Sequence, residues 1–350
     1  MRGLATRREG GRAASRTSSR RPLRLGAALA LLAMVAAACA SNAPQDTLKP
    51  AGPNARTIDH LINPVFLVAA VIFVAVEGMV LVFVIKFRHR DGGPEPVQVH
   101  GNTRLEVGWT LIPALILLAV AIPTIATIFK LAHKPANAIN VTVTAHQWWW
   151  EYNYTDLGVV TANELHMPVG RPLEITLVGA DVIHSFWVPK LGGKTDVVPG
   201  RSNHMNLTGD KVGTFLGQCT EFCGLSHANM RLKGVVQTPD KFQAWVDQQR
   251  LAATAPAPGS AAADGLVLFN SKGCTGCHTV QGVSTGKVGP NLTHLSSRSS
   301  FAGSMFELNA DNLRTWLENP PGVKPGSKMP NLKLSGDEIT KLIAYLETLK

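Results

Sequence analysis

An arginine-rich start gives way to an apolar run from Leu25 to Ala38, and two longer apolar runs follow, Pro64 to Ile85 and Trp109 to Phe129. Each of the longer two reaches the roughly 20 residues that a helix needs to cross a bilayer. The pattern therefore predicts a two-helix membrane hairpin across residues 57–135. From Asn140 apolar and polar positions alternate, first in Val141-Thr142-Val143-Thr144 and later in Leu173-Glu174-Ile175-Thr176-Leu177, with Gly and Pro between such runs. Period-2 segments punctuated in this way predict an all-β sandwich over residues 138–240. Residues 251–263 are small residues and proline, the composition of a flexible linker with a span of roughly 20 Å. Residues 264–350 form a last domain expected to be all-α. Its closing run, Asp337 to Leu346, is apolar at helical spacing with acids in the first turn.

Charge refines this picture. The formal net charge is +10, but residues 1–24 hold eight arginines against one glutamate. The remainder gives no basis for nucleic-acid binding. Basic residues followed by Leu25–Ala38 read as an export signal over residues 1–38. Ser19-Arg20-Arg21 bears a weak twin-arginine resemblance. Ala36-Ala37-Ala38-Cys39 looks like a lipoprotein cleavage box that would leave Cys39 lipidated; a chance cysteine after a simple signal, or an uncleaved anchor, is the alternative. Between the two long runs lie Lys86, Arg88, Arg90 and Arg104, and fewer basic residues flank them outside. The positive-inside rule puts this connection in the cytoplasm. The expected place is a bacterial plasma membrane, multi-pass, with the later domains on the outer face. Pro113 and Pro123 point to packing against another membrane subunit. Glu77, mid-span, reads as a neutral carboxyl hydrogen-bonded to a partner helix.

The densest chemistry is Cys219-Thr-Glu-Phe-Cys223-Gly-Leu-Ser-His227-Ala-Asn-Met230, with His184 in an earlier strand-like run. Thiolate, thioether and imidazole together suit copper. Cys219, Cys223, His227 and His184 could also close a tetrahedral zinc site, though zinc has no use for Met230. An iron–sulfur cluster with two histidines would show paired Cys-His boxes, and a mononuclear blue-copper site needs one cysteine. Two cysteines in one loop point to two coppers bridged by both sulfurs. Downstream, Cys274-Thr-Gly-Cys277-His278 is the covalent attachment pattern for haem c, with His278 as proximal ligand. Gly289-Pro290-Asn291-Leu292 follows, where the Pro290 carbonyl could orient His278. Met329 is the expected sixth ligand, with Met305 and His294 as alternatives; a Met/His pair raises the haem potential. With Cys39 assigned to lipid, no cysteine of the five is left for a structural disulfide.

These motifs resemble subunit II of cytochrome c oxidases of the heme–copper family, with a class I cytochrome c domain fused at the C-terminus. The resemblance covers nearly all of the chain from residue 57. It implies a cupredoxin sandwich holding dinuclear copper A through His184, Cys219, the Glu221 carbonyl, Cys223, His227 and Met230. It also implies a magnesium ion bound through the Glu221 side chain where the chain meets subunit I. Electrons would enter copper A at Trp148, within the aromatic run Gln147 to Tyr152, placed here in the first strand with at least one ring exposed near the copper. Glu106, in Leu105-Glu106-Val107-Gly108-Trp109, matches a glutamate at the mouth of a proton channel. The implied function is to receive electrons from a cytochrome bc complex or a cytochrome c and to pass them from haem c to copper A. Subunit I, accompanied by subunit III, would then reduce oxygen. The rivals are the copper A subunit of a nitric oxide reductase and a stand-alone membrane-tethered carrier. The tethered haem domain is expected to dock near Trp148 by a weak, reversible contact.

Overall fold

The computed structural model describes residues 26, 29–31, 33–34, 43–88, 92–93, 95, 97–98 and 100–350. Cys39, Arg90 and most of the expected export signal lie outside them. Helix α1, Pro53–Lys86, and helix α2, Thr103–Ala132, have 34 and 30 residues, or about 50 and 45 Å at 1.5 Å per residue. Both exceed a hydrocarbon core of about 30 Å. Apart from the stripe with Val65, Ile116 and Val120 along which the two helices face each other, most of their apolar side chains are exposed; Phe73 is 65% and Leu117 69% exposed. A helix that is hydrophobic all round needs lipid or another subunit as its surroundings.

α1 begins before the apolar run because its first turn belongs to the next domain. The Ala51 and Ala55 amides donate to the carbonyls of Lys190 and Leu191 at 2.7 and 3.3 Å. Asn54 donates to both the carbonyl and the side-chain oxygen of Asn206, at 2.7 and 2.8 Å. The Asn206 amide in turn donates to the carbonyls of Leu131 and His133, at 2.9 and 3.1 Å, at the end of α2.

The middle domain is a sandwich of two five-stranded sheets. Its strands are β1 Ile139–His146, β2 Trp149–Tyr154, β3 Val159–Ala162, β4 Glu164–Pro168, β5 Leu173–Gly179, β6 His184–Trp187, β7 Thr195–Val197, β8 Asn203–Leu207, β9 Gly213–Cys219 and β10 Arg231–Gln237. One sheet runs β3-β2-β1-β5-β8 and the other β4-β10-β9-β6-β7. The alternation seen in sequence is the reason: Val141, Val143, Ala145, Ile175 and Leu177 face inward and are buried, and their neighbours are half-exposed. The aromatic run differs from expectation. β1 ends at His146, so Trp149 to Tyr154 form the second strand, which turns back antiparallel on the first.

Helix α3, Pro239–Gln249, closes the sandwich by stacking Trp245 on His166, with ring centroids 4.2 Å apart. The last domain packs helices α4 Ala261–Ser271, α5 Ala310–Glu318 and α6 Gly336–Leu346 around Phe269, Leu313, Leu342 and Tyr345. Two short two-stranded ladders accompany these helices. The linker is shorter than residues 251–263, because Ser260 caps α4 by accepting from the Ala263 amide at 3.1 Å. Its start is also pinned: the Leu251 carbonyl lies 3.0 Å from His294 Nε2.

Candidate metal centres

The soft side chains converge at one end of the sandwich. β6 opens on His184 and β9 closes on Cys219, and the antiparallel register sets Phe186 opposite Cys219. The chain then loops out and returns as β10, and the Cys219 amide donates to the Met230 carbonyl at 2.9 Å to close the loop. Within it, the sulfurs of Cys219 and Cys223 lie 3.8 Å apart. Cys219 Sγ is 3.8 Å from His184 Nδ1 and 3.2 Å from the Glu221 carbonyl. Cys223 Sγ is 3.5 Å from His227 Nδ1 and 3.8 Å from Met230 Sδ. All six residues singled out in the sequence therefore meet.

Nearly every converging atom offers a lone pair, so the group suits cations. At metal–sulfur bonds of about 2.3 Å, a 3.8 Å sulfur pair subtends roughly 110° at one ion, and the same holds on either side of the pair. Both cysteines are free thiols. The hydrogen bond between them, together with His184, outweighs burial and holds the Cys219 thiol well below its ordinary range, and the same bond pushes Cys223 up. Burial opposes charge on His184, but Cys219 and Asp181 raise its pKa on balance. Its Nε2 lies 2.8 Å from Asp181 Oδ1. Nε2–H donates to the Asp181 carboxylate there, which leaves the Nδ1 lone pair facing the sulfurs and open to a metal ion.

The second centre is a cavity bordered by Cys274, Cys277, His278 and Met329, with Phe269, Leu342 and other apolar side chains. His278 Nδ1 is 2.8 Å from the Pro290 carbonyl, which leaves Nε2 free for an iron. A Cβ on Gly289 would come within 2.5 Å of the His278 ring, so only glycine lets the ring lie flat there. Trp316 Nε1 donates to Met329 Sδ at 3.2 Å. Arg298 also lines the cavity, and its buried Nε has no hydrogen-bond partner among the described residues, a donor suited to a cofactor carboxylate. The alternatives to Met329 are elsewhere. His294 has its ring nitrogens 2.6 and 3.0 Å from the carbonyls of Lys350 and Leu251, and Met305 does not border the cavity.

Trp148 stands between the centres. Its Nε1 donates to the Cys223 carbonyl at 2.9 Å, and the residue lines the haem cavity. It is 6% exposed, which corrects the expectation of an exposed ring: the last domain covers it. Glu106 sits in the first turn of α2, beyond the cap that Asn102 provides to the Arg104 and Leu105 amides. Sequence reasoning missed Asp181, Trp316 and Arg298. Asp181 alone left a signal, an acid three residues before His184.

Three family profiles match the chain: cytochrome c oxidase subunit II transmembrane domain over residues 41–127, its periplasmic domain over 159–238, and cytochrome c over 262–350. Cytochrome c oxidase subunit 2 of Alkalihalophilus pseudofirmus is 38% identical over 92% of this chain and 96% of its own length. The protein of the same name from Bacillus sp. is 38% identical over 75% and 80%. The crystal structure of the periplasmic domain of subunit II of cytochrome oxidase of Bradyrhizobium japonicum is 32% identical, covering 33% of this chain and 96% of that one at a TM-score of 0.32. Helical hairpin, sandwich and haem-type domain each find their counterpart in order along the sequence, and the chain belongs to the cytochrome c oxidase subunit II family, with a cytochrome c domain at its C-terminal end.

Proposed function

We propose that this subunit takes electrons onto haem c, passes them by way of Trp148 to dinuclear copper A, and delivers them to subunit I. One observation carries the proposal: Trp148 lines the haem cavity, and its Nε1 donates to the Cys223 carbonyl at 2.9 Å. Haem c and copper A, when bound, supply one-electron carriers, and the residues supply rigidity. Cys274 and Cys277 would fix the macrocycle covalently, and the Pro290 carbonyl orients His278. Met329, whose sulfur accepts from Trp316 Nε1, would supply the iron with a second protein ligand beside His278. His184, Cys219, the Glu221 carbonyl, Cys223, His227 and Met230 would hold two coppers, and six ligands from one closed loop and one strand change little with oxidation state.

On the outer side of that loop, Phe222 and Leu225 are 76% and 79% exposed. Large apolar side chains beside an exposed Glu221 fit a contact with subunit I, where the Glu221 carboxylate would hold magnesium. With the hairpin as its anchor the chain would lie in the plasma membrane as a multi-pass protein, and Glu106 would collect protons at its cytoplasmic edge. The test uses the purified complex: two coppers and one covalent haem are expected per chain. Trp148→Phe, which removes the donor to Cys223, should slow copper reduction at least tenfold with both centres intact. Absence of either centre, or an unchanged rate, would overturn the proposal.

A further inference from the structure

The cytochrome domain does more than lie near Trp148. Lys324, 4% exposed, donates to the Trp148 carbonyl and to the Ala302 carbonyl, each at 2.7 Å. One ammonium is thus shared between the two domains. Burying an ammonium is costly unless its hydrogens are accepted, so this side chain has its place only when both carbonyls are present. Around it the chain is pared to glycine. Gly326 has φ +81, and a Cβ there would come within 2.3 Å of the Trp148 ring; Gly303 has φ +74, and its Cβ would meet the Trp148 carbonyl at 2.8 Å. Two further bonds tie the copper loop and the start of β10 to the cytochrome domain. Ser226 Oγ donates to the Pro325 carbonyl at 2.6 Å, and the Arg231 amide donates to the Gly303 carbonyl at 2.9 Å.

A domain on a flexible tether is held by local concentration alone, in the millimolar range, and its contact surface must survive repeated exposure to water. A buried ammonium and a glycine seat against an aromatic edge are poor surfaces for that. We infer that Lys324 is a positioning residue that seats the cytochrome domain permanently on Trp148, so that transfer between the centres needs no docking step and Trp148 is closed to any other protein donor. This rests on the electron route proposed above. An external donor, a protein carrying a one-electron centre, must then address the cytochrome domain and not the copper loop.

The test uses the intact oxidase complex. In the unaltered protein, a protease site placed within residues 253–258 and then cut should leave the cytochrome domain bound through extensive dilution. Transfer after photoreduction of the haem should remain first order and insensitive to viscosity. Lys324→Met, which keeps length and removes the charge, should keep both metal spectra, slow this transfer at least tenfold and make it viscosity-dependent. Gly326→Val should do the same by wedging the seat, and it decides the question if Lys324→Met does not assemble. Release of the cut domain on dilution would overturn the inference, as would substituted proteins whose rate stays within twofold. A complex lacking copper or haem refutes the electron route itself, whereas release from a complex holding both refutes only the permanent seat.

Discussion

Asp181 concentrates several demands on one carboxylate. Oδ1 lies 2.8 Å from His184 Nε2 and accepts from the Val182 amide at 2.8 Å, and Oδ2 accepts from the Gln147 amide at 2.7 Å. Burial works against its charge, but these bonds hold it below the usual carboxylate range. Lys328, next to Met329, pairs with it at 3.3 Å. On the proposed ligand set, Asp181→Asn leaves His184 with a weaker anchor, and losing such a partner typically costs 10- to 100-fold in metal affinity. The expected outcome is a fall in copper retained during dialysis against a chelator, with covalent haem unchanged. Copper and haem assays on one sample check both halves. The soft ligands between Cys219 and Met230 are legible from residue types alone, because ligand chemistry depends on side-chain identity and short spacing. Lys324, Glu164 and Arg298 are not, since a buried charge looks like a surface charge until the surface that covers it is known.

At the scale of elements, β4 and the segment after the haem cavity meet through one buried acid. Glu164 Oε1 accepts from the Ser299 amide and hydroxyl at 2.9 and 2.5 Å and from Ser300 Oγ at 3.1 Å. Burial raises this carboxyl, but His166 and Ser299 outweigh it and bring it down to about 2 from 4.5. A depressed acid stabilises the folded protein fully above its unfolded value and loses that contribution as pH falls to the folded one. This contribution is therefore complete above about pH 4.5 and largely lost near pH 2, a difference on the order of 3 kcal/mol. Glu164→Gln should flatten the acid limb of the cytochrome domain's melting temperature between those values, which a pH series of thermal scans reads directly. Strand periodicity exposes the sandwich and its inward face. It misplaces the aromatic run by one strand, because Gln147 and Trp148 form a turn without Gly or Pro to announce it. Composition likewise overstates the linker, because Ala261 to Ala263 are as ordinary in a helix as in a tether.

For the molecule as a whole, three domains in series are visible from composition, and their mutual contacts are not. Partners across a domain boundary share no spacing rule. At the joint between hairpin and sandwich, Asn206 links both helices: it accepts from Asn54 at the head of α1 and donates to Leu131 and His133 at the end of α2. Asn206→Ala removes the side-chain bonds at once and leaves two helix-end carbonyls without that donor, a loss of about 1–3 kcal/mol. Faster amide hydrogen exchange at residues 51–56 and 131–133 is expected, with the copper loop unchanged.

That asparagine also works as a bracket in the mechanical sense. Held at both helix ends, the sandwich has little freedom to nod or swivel over the bilayer, so its height above the membrane plane is set by the lengths of α1 and α2. Thickening or thinning of the lipid would then be absorbed by tilt of the hairpin, and the whole outer assembly would lean with it as one piece.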